Sequence, residues 1–240
     1  MSGGAYVALS GMQARAAQLD RLAADIANVG TTGYKAARTS AAAAERPVFD
    51  RALDAAVDVV NGADRVDFTP GALVSTARDL DLAIDGPGFF VLQTAAGPRY
   101  TRNGQFSRSA AGVLSASDGS PVLGDDNRPI AIGQGRVEVE ADGAVRVDGA
   151  NTGRLQLVDF ADRSALVRDG DERFAGPATR AAIPAAGRVR AQAVEGSNVS
   201  VADRVAELAQ VSAGFEALNR GIGVLMNELD GRVISELGRR

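Results

Sequence analysis

With no histidine and no cysteine in 240 residues, this chain lacks the commonest general base, the commonest nucleophile–base pairs and most transition-metal ligands. It does carry carboxylates in pairs. Asp79, Asp81 and Asp85 alternate with Leu80, Leu82 and Ile84, and Asp125-Asp126 stands in a short polar stretch. Paired carboxylates serve calcium binding, or the acid and base of carbohydrate cleavage. Neither EF-hand spacing nor a glycine-rich repeat accompanies them. They therefore read as the outward residues of a half-buried strand and as a tight turn. Gly133-Gln-Gly135 lacks the third glycine and the following helix of a dinucleotide site. The phosphate-loop G-K-[ST] and the G-x-S-x-G elbow are absent. The expectation is a non-enzyme without cofactor or metal.

Composition narrows the classes further. The net charge is −4 with no basic block, which leaves no footprint for nucleic acid or an anionic membrane. Among the 26 basic residues only Lys35 is lysine, a pattern that reads as codon bias. The absence of cysteine fits a chain that works outside the reducing cytoplasm without disulfides. No stretch approaches the length of apolar residues that spans a bilayer. The N-terminus lacks a charged n-region followed by an apolar h-region, so no cleaved secretory signal is visible.

The elements that position everything else lie at the two ends. From Ser200 to about Leu237 the apolar residues Leu208, Val211, Phe215, Leu218, Ile222, Leu225 and Leu229 step by threes and fours. This is the seam of a long helix that packs along another helix. Ser200-Val-Ala-Asp203 supplies a start signal of the capping-box kind. At the front, Ala5, Leu9, Met12, Ala16, Leu19, Ala23 and Ile26 step in the same way, and Asn28-Val-Gly30-Thr31-Thr-Gly33-Tyr34-Lys35 stops the helix. Two seam helices at opposite ends most economically pair with each other. At 1.5 Å per residue they would run roughly 35 and 55 Å, so the C-terminal helix outruns its partner. Gly214, Gly221 and Gly223 within it are expected to let a neighbouring helix approach closely.

Between the ends, residues 36–69 read as a linker. From about residue 70 the chain changes to short alternating runs separated by turns: Leu80 to Ile84, Phe89-Phe-Val-Leu92, Arg99-Tyr-Thr101, Val137 to Val147 around Asp142-Gly143, and Leu155 to Phe160. Turn signals every eight to twelve residues predict an antiparallel β domain. The fold class is thus α+β: a discontinuous terminal helix pair (1–35 and 195–240), coiled-coil-like, with an all-β domain (70–194) inserted.

Three segments carry a family resemblance. The first runs from Leu9-Ser-Gly-Met12 to Asn28-Val-Gly30-Thr-Thr-Gly33-Tyr34-Lys35. The second joins Asp79-Leu-Asp-Leu-Ala-Ile84, Gly88-Phe-Phe90, Tyr100-Thr-Arg-Asn-Gly104 and Gly112-Val-Leu114. The third is Glu195-Gly-Ser-Asn-Val199. Over nearly its full length the chain resembles the bacterial flagellar rod and hook axial proteins. Its length, Phe68-Thr-Pro-Gly-Ala-Leu73 and the Glu195 segment look most like the family's proximal rod members, with distal rod or hook members as the alternative. Gly30 stands where the family usually has asparagine, both residues that accept a left-handed backbone. The resemblance implies a structural subunit of the basal-body rod that leaves the cytoplasm through the flagellar type III export apparatus and stacks with itself and other rod proteins. It implies that Leu9, Met12, Leu19, Ile26, Leu208, Val211, Phe215, Leu218, Ile222 and Leu225 build the helix core and assembly interface. The turn at Asn28, Gly30, Thr31, Gly33, Tyr34 and Lys35 would set the helix exit. A β-domain binding module dimerised by its helices is the alternative outside the family.

Overall fold

In a computed structural model of the chain, the described residues are 2–39, 64–170, 172–177 and 182–237. Most of the expected linker, residues 40–63, lies outside them. The fold is α+β. Helix α1 (Ser2–Ala27) and helix α2 (Val201–Leu237) bracket a region of short antiparallel strands, with one 3-10 turn at Arg163–Ala165. By contacts the chain divides into two compact units. One comprises Met1–Ala27, Ala37–Arg65 and Ser200–Arg240; the other comprises Asn28–Ala36 and Val66–Val199.

In the helical unit α1 and α2 run antiparallel. Asp25 meets Arg204, Gln18 meets Glu207, and Gly11 lies opposite Leu218. At 37 residues against 26, α2 is the longer element. Its start is capped by Ser200, whose Oγ accepts the Asp203 N–H at 3.4 Å and whose carbonyl accepts the Arg204 N–H at 3.0 Å.

The β unit is organised by strand β5 (Phe89–Thr94). It pairs with β6 (Gly97–Thr101) on one side and β12 (Leu157–Asp159) on the other. With β13 (Val167–Arg168), β14 (Arg173–Ala175) and β15 (Ile183–Pro184) they form a sheet in the order β13-β14-β6-β5-β12-β15. The apolar run Phe89-Phe-Val-Leu92 is buried on both faces because side chains alternate along a strand. Phe89 and Val91 join Leu123, Val158, Phe160, Leu166 and Phe174. Phe90 and Leu92 join the larger core with Leu82, Ile84, Phe106, Leu114, Ile132 and Val145. Phe68 packs edge-on against Phe89 and Phe174, with ring centroids 5.4 and 5.0 Å apart.

A second sheet, β11-β10-β9, joins β9 (Val137–Val139), β10 (Ala144–Val147) and β11 (Ala150–Arg154). Val147 opposes Ala150 across Asp148-Gly149, both at positive φ (49° and 82°), the tight hairpin turn that Asp-Gly favours. Four strand pairs complete the set: β1 (Ala37–Thr39) with β2 (Asp64–Val66), β3 (Leu73–Ser75) with β17 (Ala193–Glu195), β4 (Leu82–Asp85) with β16 (Arg188–Ala191), and β7 (Ser107–Arg108) with β8 (Leu114–Ser115).

The outward reading of all three aspartates around β4 is corrected here. Asp79 and Asp85 are exposed, but Asp81 is only 2% exposed. It bridges to Gln105 just before β4, and Leu82, Ala83 and Ile84 behind it are all buried, so the strand has no solvent face along this run.

Because Phe90 sits in the larger core against Phe106, its truncation to alanine is expected to cost about 3–5 kcal/mol. Val167, 66% exposed, should tolerate the same change within about 0.5 kcal/mol. Urea unfolding of the two variants checks the contrast.

Candidate functional site

The chain first enters the β unit at 28–36, returns to the helical unit at Ala37, re-enters at Val66 and finally leaves at 195–199; the first and last of these crossings are fastened to each other. The turn begins with Asn28, whose carbonyl accepts the Thr31 N–H at 3.1 Å and whose Oδ1 accepts the Thr31 hydroxyl at 3.0 Å. Gly33 then takes φ +71°, and its N–H donates to the Glu195 carbonyl at 2.7 Å. A Cβ at Gly33 would overlap the Asn103 backbone nitrogen, so this position needs glycine twice over. Gly30 is exposed with open space around it and is not among the left-handed residues; the left-handed position of this turn is Gly33.

Beyond Gly33 the turn plunges inward. Tyr34 is 4% exposed and clusters with Ala36 and Val199, and the Arg168 guanidinium lies 4.8 Å from its ring centroid. Arg168 also donates to the Lys35 carbonyl. Asn198 holds the outgoing segment: its Oδ1 accepts the Ala36 N–H at 2.7 Å, and its Nδ2 donates to the Asp67 carbonyl at 2.8 Å.

At the centre lies a buried ionic triad. The Lys35 side chain is fully buried, and its ammonium donates to Glu195 Oε1 and to the Thr69 carbonyl, the latter at 2.9 Å. Glu195 Oε1 also accepts the Gly71 N–H at 2.9 Å. Glu195 Oε2 stands 2.9 Å from Arg102 Nε, an ion pair without the alignment of a hydrogen bond. Arg102 spends its two Nη groups on the Gly88 and Gly86 carbonyls, at 3.0 and 2.9 Å. Burial pulls Lys35 below its ordinary range, and the Glu195 carboxylate pulls it back; Arg102 is lowered in the same way, again mainly by burial. One carboxylate therefore sits between two dehydrated cations drawn from three distant parts of the sequence. The arrangement presents no nucleophile and no open coordination position. What it can do is lock two chain crossings in register.

The sole lysine of the chain is thus the residue at the centre of this site. Codon bias accounts for the preference for arginine, not for the exception. That lone lysine was the available sequence signal for the triad, since Arg102 and Glu195 stood inside motifs without an assigned role.

In the helical unit the structure places Met12, Leu19 and Ile26 half-buried on α1, and Leu208, Phe215 and Leu218 half-buried on α2, with Val211 buried. Leu9, Ile222 and Leu225 lie on the helices, their side chains outside the described set. Ala23, read as part of the seam, is exposed, while its neighbour Leu22 is 3% exposed. Asp25 is buried as well, 3.1 Å from Arg204 Nε, and Arg204 bonds Glu207 at 2.7 Å. Gly214 does mark a close approach, since a Cβ there would run into the Arg15 guanidinium. Among the described residues nothing lies within 4 Å of a Cβ placed at Gly221 or Gly223.

Paired terminal helices with an antiparallel β unit inserted between them in sequence, its first and last segments cross-bonded, have the architecture expected of the axial class of proteins. Comparison with known proteins gives the particular family. Residues 6–35 match the family described as "Flagella basal body rod protein", and residues 83–147 match "Flagellar hook protein FlgE/F/G D1 domain". The chain is 33% identical over 225 residues to the flagellar basal-body rod protein FlgF of Caulobacter vibrioides, covering 91% of both chains. It is 30% identical to FlgF of Rhizobium meliloti over 99% of both. It is 30% identical to the rod protein FlgG of Agrobacterium fabrum over 88% of this chain and 90% of that one. The chain belongs to the flagellar basal-body rod protein family.

Substitutions in the triad should be sharply unequal. Glu195→Gln leaves Lys35 and Arg102 buried without their anion and is expected to cost about 3–5 kcal/mol. Lys35→Met leaves Glu195 still held by Arg102 and Gly71 and should cost far less. Lys35→Arg, despite keeping the charge, forces a larger forked group into a filled site at about 1–3 kcal/mol. Denaturant midpoints of the three variants test this order. A lysine depressed in the folded state binds its proton more tightly when unfolded. Stability should therefore rise with pH between the depressed value and the ordinary 10.5. Lys35→Met should lack that rise when its pH–stability curve is subtracted from the parent's.

Proposed function

We propose that this chain is a structural subunit of the flagellar basal-body rod, of the proximal type. The observation that carries this reading is the convergence of the three family segments on one buried lock. Lys35 comes from the N-terminal match, Arg102 from the central one, and Glu195 from the segment opening α2. The relatives named FlgF cover almost the whole chain at about the same length. The role of the lock is to hold both crossings of the β unit together under load.

On this reading the terminal helices supply the polymerising surface. Leu9, Met12, Leu19, Ile26, Leu208, Val211, Phe215, Leu218, Ile222 and Leu225 form the helix core, and the Asn28–Lys35 turn sets the helix exit. The α2 surface beyond α1's reach is covered by neighbouring rod subunits, in a head-to-tail stack that does not close. The chain acts without catalysis, and it reaches the rod through the flagellar type III export apparatus. Among the described residues no helix is long and apolar enough to cross a membrane.

Electron microscopy of basal bodies tests this reading. A strain lacking the chain should show no completed rod and no motility, and restoring the chain without residues 1–27 should rescue neither. Complete rods and normal swimming in the truncated strain would overturn it.

A further inference from the structure

The three-stranded sheet β11-β10-β9 carries opposite charge features at its two edges. Beside β9 opens a cleft of about 350 Å³ lined by Arg78, Arg108 and Arg136, with Leu80 and Val137 as its apolar walls. One carboxylate, Asp79, also lines it and already accepts a hydrogen bond from Gln192 at 2.9 Å. The guanidinium groups are lightly committed. Arg78 donates to the Phe106 carbonyl at 3.2 Å and stands 3.6 Å from Asp81, with its side chain 60% exposed. Arg136 stands 3.5 Å from Glu138 and is 76% exposed. Arg108 donates to the Gly135 carbonyl at 2.6 Å, but its buried Nε has no hydrogen-bond partner among the described residues. Buried N–H groups are almost always paired. A chain of net charge −4 thus gathers three arginines with spare donors into one concave site.

At the other edge, the Asp125 N–H donates to the carbonyl of Arg154, the last residue of β11, at 2.9 Å. Residues 124–127 form a turn closed by the Asn127 N–H on the Gly124 carbonyl at 2.9 Å, with Asn127 at φ 59°. Asp125 and Asp126 are both exposed on it. Asp126 accepts the Arg128 N–H at 3.0 Å, and the Asp125 carboxylate has no hydrogen bond or ion pair among the described residues.

We infer that the Asp125-Asp126 turn of one copy seats in the arginine cleft of a second copy. A protruding pair of carboxylates with unused lone pairs meets a recess of guanidinium forks, which match carboxylates in geometry as well as charge. Turn and cleft occupy opposite edges of one sheet, so the contact is heterologous and propagates instead of closing into a dimer. Exposed ion pairs are individually weak and are screened by salt. The contact therefore sets the register between β units that other surfaces have already brought together. In this respect it rests on the rod-subunit reading, since a polymer supplies the second copy at high local concentration.

The absence of cysteine makes thiol cross-linking the direct test. A double variant, Arg128→Cys with Glu138→Cys, places one thiol beside the turn and one beside the cleft while keeping every charge the contact uses. In isolated basal bodies treated with a short bismaleimide, it should yield about tenfold more linked multimers than Arg128→Cys with Val167→Cys. Adding Arg136→Glu should abolish the excess, and adding Asp126→Arg to that should restore it. Both positions are exposed, and unchanged urea midpoints show that the fold survives. Cross-linking no higher than the control pair, or unaffected by Arg136→Glu, overturns the contact and assigns the cleft to small counter-ions. Rods that contain the chain without this cross-link sink the contact alone; basal bodies without the chain sink the rod reading with it.

Discussion

The structure depends on a single carboxylate. Glu195 is buried between Lys35 and Arg102, and its backbone carbonyl also receives Gly33. Remove its charge, and two cations are left facing each other out of reach of water. Buried ion pairs seldom add net stability over a well-packed apolar cluster, but they punish every misalignment. An apolar plug at this point would tolerate the two crossings sliding by a residue. The triad does not, because the Thr69 carbonyl, the Gly71 amide and the Gly86 and Gly88 carbonyls all have to meet the same three side chains.

How much of this was legible in the sequence follows from what kind of signal each feature leaves. The helices announce themselves because their apolar residues repeat over many turns, and β5 does so because a strand buried on both faces has no polar alternation. The detail of the helix pair was less visible. Counting alanine as apolar puts Ala23 on the seam, whereas the buried position is the larger Leu22, one step round the helix. Asp25 is charged and nevertheless buried, opposite Arg204. Its partner sits on the other helix, where no spacing within α1 could reveal it.

The triad was hidden for the same reason on a larger scale. Lys35 and Glu195 are 160 positions apart, and pairing over that distance imprints no periodicity on either segment. The motifs around them were visible as turn chemistry, and the turn was given its geometric role. The ionic bond that fixes it had only one trace, a single lysine in a chain otherwise committed to arginine. Asp81 makes the converse point: alternation around β4 looked like a half-exposed strand, but the adjoining chain at Gln105 covers the face that the pattern assigned to solvent.

A chain whose two terminal helices belong to one unit and whose strands belong largely to another faces a mechanical problem at the segments next to the helices. Any load carried through the helices must pass along residues 28–36 and 195–199. Single strands joined only by their covalent backbone would stretch and shear independently. Cross-bonding them changes this. The Gly33–Glu195, Ala36–Asn198 and Asn198–Tyr34 hydrogen bonds make the two strands one short ribbon, and the Lys35–Glu195–Arg102 contacts anchor that ribbon in the larger fold. Hydrogen bonds weaken steeply with distance and misalignment, so those that cross this ribbon resist the first ångström of displacement. Costly charges thus sit where the β unit begins and ends, where stiffness between the two segments matters more than extra stability.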